Sequence, residues 1–165
     1  MVFAYYSKLS SKQKSIYRKS DAIEAVPIRR VGKYRDSLVL LEQVLQDGDR
    51  KQTENIANGL LNALAQDVGA PALQVKVLSV RPVNEYEELH GIYHPIEKSR
   101  KASITVWMRT AKHKKVVAFR SFLRTLLHEF CHHLDYELFM FEETFHTEGF
   151  FKRESSLFRQ LVKQD

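Results

Sequence analysis

Residues 56–80 read IANGLLNALAQDVGAPALQVKVLSV, and the change of hydrophobic period inside that stretch decides the fold. Up to Val68 the apolar residues Ile56, Leu60, Leu61, Leu64 and Val68 recur three or four positions apart, the one-faced pattern of an amphipathic helix. Gly69 and Pro71 then stop it, the first a common helix terminator and the second unable to continue the helical hydrogen bonds. From Leu73 the period is two. Leu73, Val75 and Val77 alternate with polar residues, and Leu78 and Val80 shift the phase, as in a strand carrying a bulge.

Working outward, Asp49 sits where a cap for that helix belongs. Two more helices precede it. One is capped by Ser10 or Ser11 and runs through Ile16 to about Ala25, stopping near Pro27; the other starts at Asp36 or Ser37 and carries LVLLEQVLQ to Gly48. Downstream, Leu89–Ile96 and Ser103–Met108 read as two further strands separated by a charged loop. A long helix follows from Val117 to Phe139, a break at Glu142–Gly149, and a last helix from Phe150 to Val162. Helices, then strands, then helices is the order of an α+β domain, with helices packed on a small three-stranded sheet, antiparallel or mixed. Met1–Asp49 is too short for its own core, so it is expected to be a helical extension packed on a core of residues 50–165, within one domain.

Composition narrows the classes. With 44% hydrophobic residues in a chain of 165, a proper core can be buried and wholesale disorder is excluded. No apolar run reaches the length of about 18 residues needed to span a bilayer, so no membrane partner is expected. The apolar start Val2–Tyr6 is too short for a secretory signal, and Cys131 is the single cysteine; both favour a reducing, cytoplasmic location. The net charge of +6, concentrated in Lys8–Arg35 and Arg109–Arg124, suits a nucleic-acid partner, but no nucleic-acid motif accompanies it and a solvated basic surface is the favoured account.

The chemistry lies in His128-Glu129-Phe130-Cys131-His132, an HExxH on the long helix. At about 100° per residue, His132 comes back to about 40° from His128, one turn along the same face. Two imidazoles so placed can share one zinc ion. Glu129 stands about 100° round, beside the metal, where it can act as general base. Leu123, Leu127, Phe130 and Leu134 occupy the opposite face and belong to the core. A catalytic zinc usually takes a third protein ligand. His146 is the choice, because the chain has turned at the break and Phe150 and Phe151 can anchor the next helix. The rivals are the carboxylates Glu142, Glu143 and Glu154. Asp135 is expected either to accept a hydrogen bond from a ligand histidine or to pair with a surface lysine. His133 points away from the metal, and His113 is a solvated loop residue. His90 and His94 belong to a strand, where either could line the cleft and an ordinary strand histidine is the favoured reading, and Cys131 is a small buried side chain.

The stretches TLLHEFCHHLDY (125–136) and FHTEGFFKRESSL (145–157) resemble the SprT-like zinc metallopeptidases within the wider zincin group. There an HExxH helix follows a short sheet, and a third histidine opens the next helix in an H-x-x-x-F context, matched here by His146 and Phe150. A Gly-x-Tyr strand, Gly91-Ile92-Tyr93, also corresponds. The resemblance covers residues 49–162 in layout and 126–151 in specific motifs. Two features depart from the group: Thr147 stands where a glycine often follows the third histidine, and one cysteine leaves no Cys-rich ribbon.

The expected activity is zinc-dependent hydrolysis of peptide bonds in a protein or peptide substrate, by a zinc-activated water with Glu129 taking its proton. Substrate is expected to lie along an exposed sheet edge, with Ser103–Met108 as the strand. Tyr93, Tyr136, His94 and Arg153 are candidates for stabilising the oxyanion. The alternative is a nucleic-acid-associated protein with a structural, non-catalytic zinc. Structural sites favour four protein ligands and cysteine, and Glu129 would then have no use.

Overall fold

The computed structural model describes residues 1–83 and 90–162. The chain forms helices α1 (Ser11–Asp21), α2 (Arg35–Gln46) and α3 (Arg50–Val68), strands β1 (Gln74–Val80), β2 (Gly91–His94) and β3 (Ser103–Arg109), then helices α4 (Phe119–Glu137) and α5 (Glu148–Leu161). Short 3₁₀ turns occupy Ala4–Lys8 and Val31–Tyr34. This is the expected α+β order. Among the described residues no helix is long and apolar enough to cross a membrane.

The sheet is mixed, in the order β1-β3-β2. β1 runs parallel to β3 with Val75 opposite Ile104 and Val77 opposite Val106, and β2 runs antiparallel to β3 with Tyr93 opposite Ile104. β3 is therefore paired on both sides. It cannot receive a substrate strand, and the expectation placed on Ser103–Met108 is corrected: a strand with both edges occupied has no free backbone donors or acceptors. β2 is shorter than the strand expected over Leu89–Ile96, of which Leu89 lies outside the described residues.

The outer edge of β1 is closed by a ladder of side chains from α3. Asn58 Oδ1 accepts from Val75 N–H at 3.0 Å, Glu54 accepts from Val77 N–H at 3.0 Å, and Arg50 donates to the Val77 carbonyl at 2.9 Å. Asn62 both donates to and accepts from the Leu73 backbone, at 2.8 and 3.0 Å. Positions 50, 54, 58 and 62 lie four apart, so they share one helix face and climb the strand together. That leaves β2 as the edge paired on one side only among the described residues.

A single hydrophobic cluster joins Val26, Ile28, Tyr34, Leu38 and Leu41 of the N-terminal region to Leu60, Val77, Ile104, Phe130 and Leu157. The segment 26–45, with α2, thus shares the core with the rest of the chain. Ser10 caps α1 in a capping box with Gln13, as its sequence suggests. The helix stops at Asp21, four residues before the expected end, where carbonyls at and just past its end take a charged partner in place of further helical bonds. Arg153, wholly buried, donates to the carbonyls of Ser20 and Ile23 at 2.5 and 2.6 Å. Gly149 allows this contact: a Cβ there would collide with the Asp21 backbone.

Candidate metal centre

Helix α4 buries Phe122, Leu123, Leu126, Leu127, Phe130 and Leu134 in the core. His128 and His132 project from its other side toward the start of α5. His146 precedes the Thr147 cap of that helix, whose hydroxyl accepts from Phe150 N–H at 2.8 Å. Thr147 is thus occupied in helix capping, which accounts for its standing where the resemblance expects glycine. The wholly buried Phe150 ring forms the floor, with centroids 5.1, 4.7 and 5.1 Å from those of His128, His132 and His146.

The three imidazoles converge on their ε nitrogens. His146 Nε2 lies 3.2 Å from His128 Nε2 and 3.0 Å from His132 Nε2. Their δ nitrogens turn outward. His128 Nδ1 lies 3.2 Å from Glu154 Oε1, and His132 Nδ1 lies 2.8 Å from Thr144 Oγ1. A carboxylate only accepts, so His128 carries its proton on Nδ1. Thr144 donates its one hydroxyl proton to Asp135 Oδ2 at 2.7 Å, so it accepts from His132, which also carries its proton on Nδ1.

Two bare lone pairs therefore face a third ε nitrogen. His146 can supply one proton to that space at most, too few for the two lone pairs that face it. Burial and the two neighbouring histidines push His132 down to about 3, and burial also lowers His146, so protons are poor occupants. A divalent cation suits the arrangement. With zinc–nitrogen bonds of about 2.0–2.1 Å at tetrahedral angles, ligand nitrogens stand about 3.3 Å apart, close to the two separations found. The set His128, His132 and His146 has all its ligand atoms within 4.8 Å of one another.

The rival carboxylates have other partners. Glu142 pairs with Lys12 at 2.5 Å, Glu143 accepts from Gln13 at 3.2 Å, and Glu154 backs His128. The first two face α1 from the loop between α4 and α5. Asp135 fits neither expectation placed on it. It is wholly buried and pairs with Arg153 Nη2 at 2.9 Å. Burial pushes its carboxyl up, while the Arg153 guanidinium and the hydrogen bonds from Thr144 and Arg153 hold it down, and the ion pair with Arg153 keeps it a carboxylate. His133, left out of the site by its direction, is buried between Tyr93 Oη at 2.9 Å and the Pro71 carbonyl at 2.9 Å.

Glu129 lines a small cleft of about 180 Å³ with Tyr93, Pro95, His132, Tyr136 and Thr144. It is 7% exposed, and burial raises its carboxyl above the ordinary range, with His128 opposing. A raised carboxyl is the state expected of a general base. β2 passes directly over it. A Cβ at Gly91 would lie 3.1 Å from both Cγ and Oε1 of Glu129 and 2.9 Å from Thr125 Cγ2, so the absence of a side chain there sets how closely the strand approaches. Of the oxyanion candidates, Arg153 is ruled out by its burial under α1, Tyr93 Oη is engaged by His133, and His94 is exposed at the end of β2. Tyr136 faces the cleft. No protein family, curated protein or solved structure matches this chain.

Proposed function

We propose that the chain is a zinc metallopeptidase of the SprT-like kind, with His128, His132 and His146 as ligands and Glu129 as general base. The observation that carries this reading is the convergence of three ε nitrogens whose δ nitrogens are tied back by acceptors. Zinc bound there supplies Lewis acidity, lowering the pKa of water and polarising a carbonyl. Glu129 takes the proton of the attacking water and returns it to the leaving amine. Tyr136 is the residue best placed in the cleft to hydrogen-bond the oxygen on which charge develops. The substrate is an extended polypeptide added to the one-sided edge of β2, where backbone pairing supplies affinity without regard to sequence. The buried free thiol of Cys131 suits a reducing compartment such as the cytoplasm.

Metal content tests the reading. Purified protein should carry about one zinc per chain, and His128→Ala, His132→Ala and His146→Ala should lose it. Glu142→Ala and Glu143→Ala should retain it. Full zinc in His146→Ala with loss in Glu142→Ala or Glu143→Ala would move the site elsewhere.

A further inference from the structure

A chain of hydrogen bonds leads inward from His132, partly buried at Thr144 and wholly buried at Asp135 and Arg153, and every proton in it points the same way. Arg153 cannot accept, so it donates from Nη2 to Asp135 Oδ1 at 2.9 Å. Asp135 only accepts, so Thr144 donates to its Oδ2 at 2.7 Å. Thr144 has then spent its proton and must accept from His132 Nδ1 at 2.8 Å. Arg153 is held in turn by the end of α1 and the residues just after it, through the Ser20 and Ile23 carbonyls and the Ser20 hydroxyl at 2.9 Å. Arg153 and Asp135 are both wholly buried, so water cannot substitute for either partner.

We propose that Arg153, Asp135 and Thr144 are positioning residues that fix the tautomer of His132, and that the end of α1 anchors them. The inference rests on the metal-site reading for its purpose but on proton counting for its content. Reversing one polarity should propagate. In Asp135→Asn the carbonyl must still face Arg153, because Arg153 can only donate. The amide NH₂ then faces Thr144, which accepts that proton and donates its own to His132 Nδ1. His132 moves its proton to Nε2 and presents N–H where a lone pair stood. The shape of the network is unchanged and the ligand is lost. A merely structural role for Asp135 predicts no such flip.

The test uses metal-free full-length protein and side-chain ¹H–¹⁵N NMR of His132, followed by zinc titration against a chromophoric chelator. Wild type should show the Nδ1–H tautomer. Asp135→Asn should show Nε2–H and bind zinc about 10- to 100-fold more weakly, the scale of losing an outer partner of a metal histidine. Should Asp135→Asn not fold with Arg153 unpaired, Thr144→Val and Thr144→Ser decide the matter away from that charge. Valine should weaken zinc binding by a similar factor, and serine should restore it. An unchanged Nδ1–H tautomer in Asp135→Asn, or wild-type zinc affinity in Thr144→Val, overturns the proposal. Absence of zinc binding by wild type would sink the metal reading instead, while the tautomers would still judge the relay.

Discussion

At the scale of single residues, the site is defined by which nitrogens are bare. His132 is held down to about 3 by burial and by His128 and His146, against about 6.5 for a free imidazole. Its folded value lies below its unfolded one, so its contribution to stability is present above about pH 6.5 and is lost as pH falls toward 3. In chelator-treated protein the NMR signals of His132 should therefore stay those of a neutral ring down to pH 5. A ring that titrates near 6.5 would show that the cluster is open to water. Gly91 gives a second prediction. Gly91→Ala places a methyl about 3 Å from Glu129, so the carboxylate or the strand must shift by a few tenths of an ångström. Peptide cleavage should fall about tenfold or more, since a small misplacement near reacting groups is costly, while zinc content stays that of wild type. Unchanged cleavage would mean that Glu129 is not confined by β2.

At the scale of elements, the polar stripe on α3 makes a clear energetic claim. Asn58→Ala removes the acceptor for the buried edge of β1 at Val75, which should cost about 1–3 kcal/mol for a donor left unmade. Urea unfolding measures this, and a cost near zero would mean that water replaces the side chain. Much of the element layout was legible in the sequence, because caps and hydrophobic period are local: Asp49 and Gly69 bound α3, and Ser10 caps α1, where the residues themselves say so. The HExxH histidines and His146 were legible for the same reason, from spacing on one helix and one break. What sequence could not give was partnership across the fold. The parallel pairing of β1 with β3 buries the strand read as an edge. The early end of α1 depends on Arg153, some 130 positions later. The charge of Arg153 and Asp135 suggested surface or cleft positions, whereas their mutual pairing pays for complete burial. The stripe 50, 54, 58, 62 was visible as spacing, but nothing local distinguishes such a stripe from a solvated face.

At the scale of the whole molecule, the N-terminal region is part of the support for the site and not an appendage. Deleting residues 1–32 would strip Arg153 of Ser20 and Ile23 and open the core at Val26 and Ile28. The shortened chain should fail to unfold cooperatively on heating; a sharp transition near that of the full chain would contradict the shared core. Lys12 pairs with Glu142, Lys33 with Asp67 and Lys152 with Glu24, pairs that are already counted in the net charge of +6. The proposed activity depends on Glu129 more directly than on any other residue, because it is not one of the three clustered histidines and yet shares the cleft with His132. Glu129→Gln keeps its size and hydrogen bonding and removes its basicity. The decisive measurement is the rate of cleavage of an unfolded protein substrate by zinc-loaded wild type and Glu129→Gln, at equal zinc content. The proposal predicts cleavage by wild type and a loss of about 10²-fold or more in the variant. Equal rates in the two, or no cleavage by the zinc-loaded wild type, would contradict it.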